Sequence, residues 1–128
     1  MYQLARAIGI SQECFQLEQD AGLDMMDVSL QQAQAVAEWY CNQLQVPLCY
    51  IQLGRECKWN RGSYSTRVIT LRPRGMQLAT LIHEIAHHVS HHATPLSHCH
   101  DAAFRHWHKR VLLMYGLEVF ELAGGTGV

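Results

Sequence analysis

The chain has 128 residues, 48% of them apolar and 16% charged, which suits one folded domain with a real core and excludes a disordered tail. Its net charge of −1 argues against a general nucleic-acid binder, and no apolar run approaches the ~18 residues that span a bilayer. Five cysteines (14, 41, 49, 57 and 99) form no C-x-x-C pair and are expected as reduced, buried thiols, and Met1 to Arg6 lacks the basic lead and apolar run of a secretory signal, so a cytoplasmic protein is expected.

Residues 1–28 are expected to form an N-terminal helical segment of two short packing helices. Leu4 to Ser11 also resembles the middle of a helix-turn-helix, but the segment is acidic and no first helix precedes it. Ser29 then reads as an N-cap with Gln32 completing a capping box. Ala33, Val36, Ala37, Tyr40 and Leu44 follow on one helical face, and Pro47 is expected to end the helix. Leu48 to Leu53 reads as a strand, Glu56 to Trp59 as a second short strand, and Tyr64 to Leu71 as the strongest strand, rich in β-branched residues. Residues 54–74 carry six basic side chains against Glu56, whereas residues 1–53 carry six acidic ones against Arg6. The basic block is expected as a solvated sheet face, with an acidic partner as the alternative.

A helix is predicted from about Met76 to His92, with Leu78, Leu81, Ile82, Ile85 and Val89 on its apolar side, and Thr94-Pro95 breaks it. A last helix is predicted from an Asp101 N-cap to Tyr115, with Phe104, Trp107, Val111 and Met114 buried and Gly116 as its stop. A loose tail is expected over 120–128, so the whole chain reads as a single α+β domain.

All nine histidines fall between positions 83 and 108. His83-Glu84-Ile85-Ala86-His87 is an H-E-x-x-H sequence. On a helix, residues four apart share a face, so His83 and His87 can reach one zinc ion while Glu84 stands beside it as a general base. A third ligand requires the chain to return. His91 is too far along the axis from His83, and His88, His91 and His92 are expected to face solvent. His100, immediately before the last helix, is preferred, with His98 second and Cys99 third. This chemistry is that of a zinc-dependent peptidase, in which water activated at the ion hydrolyses a peptide bond. The alternative from another class is a non-catalytic, zinc-stabilised binding or regulatory module, which would have no need of Glu84.

Thr80-Leu81-Ile82-His83-Glu84-Ile85-Ala86-His87 followed by His100-Asp101-Ala102-Ala103-Phe104 resembles the SprT-like zinc metallopeptidases and their small phage and bacterial relatives. The resemblance covers roughly residues 45–115. It implies a zincin-like fold, in which a short twisted sheet packs on an active-site helix and supporting helices. It also implies His83, His87 and His100 as Zn2+ ligands, Glu84 as catalytic base and a protein or peptide as substrate. By the same resemblance Tyr64 to Leu71 is the edge strand along which substrate binds. Oxyanion stabilisation needs a donor near the metal, for which Tyr64, Tyr115 and His106 are equal candidates. Asp101 stands where those proteins usually have glycine, and the zinc ribbon that often follows in longer members is not seen. A nucleic-acid partner is therefore a secondary expectation, and no membrane partner is expected. The sequence carries no signal for an oligomeric state.

Overall fold

The computed structural model describes residue 22, residues 26–94 and residues 101–115. The expectations for the N-terminal helical segment, the Gly116 stop, the tail, and the candidate ligands His98, Cys99 and His100 lie outside the described residues.

Helix α1 spans Leu30–Leu44 and begins with the expected capping box, in which the Ser29 hydroxyl accepts from Gln32 N and the Gln32 side chain accepts from Ser29 N. Its end comes before Pro47: Gln45 takes a left-handed conformation (φ 54°), and the N–H groups of Gln45 and Val46 both turn back onto the Cys41 carbonyl. Ala33, Ala37 and Tyr40 are buried, as the helical period requires, and the Tyr40 hydroxyl donates to the Val111 carbonyl at 2.6 Å.

Three strands follow: β1 (Tyr50–Leu53), β2 (Gly62–Ser65) and β3 (Val68–Leu71), in the order β1-β3-β2. β3 is parallel to β1 (Tyr50 opposite Val68) and antiparallel to β2 (Ser65 opposite Val68). Two sequence expectations are corrected here. Residues 64–71 are not one strand, because Thr66 (φ 44°) and Arg67 (φ 68°) both adopt left-handed backbone and fold the segment into a two-residue hairpin. β-branched content marks extended backbone but cannot show where it reverses. Residues 56–59 are not a strand either, since the chain from 54 to 61 is a loop. Arg72 donates to Asn60 Oδ1 and the Arg55 carbonyl, and Arg74 donates to the Cys57 carbonyl and pairs with Glu56 at 3.1 Å. Arg72 and Arg74 thus pin this loop, Arg55, Lys58 and Arg61 lie within it, and the basic block does not form a sheet face; Arg67, in the hairpin turn, donates to the Leu48 carbonyl.

A 3-10 turn over Pro73–Gly75 leads into α2 (Leu78–Ala93). Gln77 offers α2 no side-chain cap; the Met26 carbonyl accepts from Leu78 N at 2.7 Å, and an isolated bridge joins Asp27 to Gln77. α2 carries the core: Leu78, Leu81, Ile82, Ile85, Ala86 and Val89 are all buried. It packs on β2 and β3, on α1, and most extensively on α3 (Ala102–Met114), whose Asp101 N-cap accepts from Phe104 N at 2.9 Å. Among the described residues, three helices and a three-stranded mixed sheet make the fold α+β, as expected. Among the described residues no helix is long and apolar enough to cross a membrane.

Candidate metal centre

α2 presents His83 and His87 on the face turned to α3. Their ring centroids are 5.1 Å apart at 68°, and both rings are partly exposed. Two imidazoles bound to one tetrahedral ion at about 2.0–2.1 Å would bring their centroids to ~5 Å, so the separation of this pair is compatible with a shared ion. Phe104, held in the first turn of α3 by the Asp101 cap, stacks on His87 (4.2 Å, 29°) and lies 5.0 Å from His83. His108, one turn further along α3, is 5.5 Å from His83 and completely buried. These rings restrict the rotamers of both imidazoles, which holds their lone pairs in a preset direction. Glu84 lies between the two histidines in sequence and is 7% exposed. His100, the expected third ligand, immediately precedes Asp101 in sequence and lies outside the described residues.

The expectation for the remaining histidines of α2 needs correction. His91 is exposed, but His92 is half-buried and His88 is completely buried. His88 follows Leu81 by seven residues and Ile85 by three, so it falls on the apolar stripe, and helical position outweighs its polar side chain. The same spacing places His108 four residues after Phe104 and three before Val111. That periodicity was the signal available in the sequence for both.

The His88 ring is fully engaged. Nε2 lies 2.6 Å from the Pro47 carbonyl, which can only accept, so Nε2 carries the proton and Nδ1 accepts from the Tyr64 hydroxyl at 2.9 Å. On the same side of α2 lie Cys41, in the last turn of α1, and Cys49, just before β1; both are buried and unoxidised. Their sulfurs are 3.8 Å apart, and one donor atom from each of Cys41, Cys49 and His88 falls within 4.8 Å of the others, a group that could hold a metal ion. Hydrogen bonding between the thiols, with His88 adding to it, lowers the pKa of Cys41, while the same contact and burial raise that of Cys49. No local spacing announces this cluster, because its members are joined only by the left-handed turn at Gln45 and the packing of α1 on α2.

Of the oxyanion candidates, Tyr64 is committed to His88 and to Arg67 N, His106 is exposed beside Trp107, and Tyr115 is half-buried against the core. The expected edge strand is split: residues 68–71 form the central strand, and only Tyr64 and Ser65 of it lie on an edge. β3 is central, β2 is one edge, and the β1 edge is met by the Gln34 side chain, which donates to the Cys49 carbonyl (3.2 Å) and accepts from Ile51 N (2.9 Å). Comparison with protein-family models, curated proteins and solved structures yields no match to this chain. These comparisons identify no family for the chain.

Proposed function

We propose that the protein is a zinc-dependent peptidase of zincin type, with His83 and His87 as metal ligands, His100 as the third ligand and Glu84 as general base. The observation that carries this reading is the paired imidazoles, 5.1 Å apart on one helical face with Glu84 between them in sequence and Phe104 behind both rings. When bound, zinc would polarise the scissile carbonyl and acidify a water molecule at neutral pH. Glu84 follows His83 directly, so its carboxylate stands beside the ligand face, where it takes the proton of the attacking water and returns it to the departing amine. Phe104 and His108 keep the imidazoles oriented and exclude water from behind them. The substrate backbone would add to β2, the edge strand that packs on α2, because Gln34 already occupies the edge of β1.

Glu84→Gln preserves size and polarity while removing the base. It should keep its metal and its fold and lose peptide hydrolysis by about 10²–10⁴-fold, read on zinc-loaded protein against a broad peptide library. An active wild type matched by an equally active Glu84→Gln would overturn the mechanism. A second reading, a non-catalytic module stabilised by metal, is favoured by the buried Cys41, Cys49 and His88 group. It predicts that Glu84→Gln leaves partner binding untouched and that no substrate is turned over.

A further inference from the structure

We propose that Cys41, Cys49 and His88 form a second metal site, buried on a different face of α2 from His83 and His87, that takes a thiophilic divalent ion of the zinc class. The proposal is independent of whether His83 and His87 hold an ion. Its first support is the sulfur separation. Two thiolates bound at about 2.3 Å in a tetrahedral shell lie ~3.8 Å apart, and the Sγ atoms here are 3.8 Å apart. A disulfide would need ~2.05 Å, so the pair is set at the spacing of ligands and not of a bond.

The second support is the state of His88. Metal-bound histidines characteristically donate the other ring N–H to a carbonyl or carboxylate, which settles the tautomer. Nε2 of His88 does this to the Pro47 carbonyl at 2.6 Å, leaving the lone pair on Nδ1. In this structure that lone pair accepts from the Tyr64 hydroxyl, 2.9 Å away, so an ion bound at Nδ1 would replace this hydrogen bond and leave the hydroxyl beside it as the candidate for the fourth position; the hydroxyl also accepts from Arg67 N at 3.1 Å, so it keeps a partner. Two sulfurs, one imidazole and one oxygen favour zinc over the hard cations. The ligands come from α1, from the turn after it, from α2 and from β2, so the ion would tie these elements together. Two thiols packed as plain hydrophobes would give the same burial, and metal binding distinguishes the cases.

Cobalt(II) is a suitable probe, because a thiolate ligand gives it an intense near-ultraviolet charge-transfer band that an all-imidazole site lacks. The reduced full chain should be stripped with chelator and titrated with cobalt(II), both as the wild type and as His83→Ala/His87→Ala. The double variant is expected to retain a single ion per chain and the full charge-transfer band. Cys41→Ala and Cys49→Ala should each abolish the band, whereas Cys99→Ser and Cys57→Ser should leave it intact. Absence of the band in folded wild type overturns the proposal, and this arm needs no substitution that might unfold the core. A band that disappears with Cys99→Ser, or a Cys41–Cys49 disulfide in peptide maps of the protein purified without reductant, overturns it equally.

Discussion

Tyr40 illustrates how one side chain can tie two helices together. Its ring is completely buried, its edge meets Trp39 at 4.8 Å, and its hydroxyl crosses to the Val111 carbonyl in α3. Burial, reinforced by Tyr115, raises its pKa, so the phenol stays protonated and remains a donor. The Val111 carbonyl also accepts from Tyr115 N, so removing the hydroxyl leaves no orphaned acceptor. Tyr40→Phe should therefore cost about 1 kcal/mol, the net worth of one hydrogen bond, and not the larger penalty of a stranded polar group. Urea unfolding should show a lower midpoint with an unchanged slope. A loss above about 3 kcal/mol would mean that the hydroxyl holds more of the α1–α3 contact than this bond.

At the scale of elements, the β2–β3 hairpin combines good strands with a poor turn. A two-residue loop with both residues left-handed favours Asn-Gly, yet this chain places Thr66 and Arg67 there. Threonine, branched at Cβ, is especially unsuited to positive φ. Arg67 compensates through its contacts with the Tyr64 hydroxyl and the Leu48 carbonyl, but Thr66 has no such contact to lose among the described hydrogen bonds. Thr66→Asn should accordingly stabilise the protein by about 0.5–1 kcal/mol, seen as a higher melting temperature. An unchanged or lower melting temperature would show that the turn is not under strain. The same hairpin places Tyr64 against His88, so the turn lies two residues from the proposed buried site.

For the molecule as a whole, the 54–61 loop and the turn into α2 interlock. The Arg61 carbonyl accepts from Arg72 N at 3.0 Å, and Gly75 sits so close to Arg61 that a Cβ would overlap its backbone carbonyl. Gly75→Ala must displace either the loop or the start of the segment leading to α2, so a destabilisation of about 1–3 kcal/mol is expected by chemical denaturation. Stability equal to wild type would show that the loop yields freely. Because the same turn sets where α2 begins, metal content at the proposed His83 and His87 site is the companion readout.

The three described helices were legible in the sequence, as were the α+β class, the Ser29 and Asp101 caps and the pairing of His83 with His87 on one face. Each depends on residues within a turn or two of one another, where the 3.6-residue period and capping chemistry act locally. The division of residues 64–71 into two strands was not legible, because backbone reversal at Thr66 and Arg67 is imposed by strand pairing against propensity. The loss of the basic block to the 54–61 loop depends on where Asn60 and the Arg55 and Cys57 carbonyls come to rest. His88 looked like part of a solvent-facing histidine run, and only the packing of α1 and the sheet on α2 buries it and assembles it with Cys41 and Cys49. Those three residues lie 8 and 39 positions apart. Contacts over such separations are decided by how whole elements exclude water from the core, which local sequence pattern does not encode.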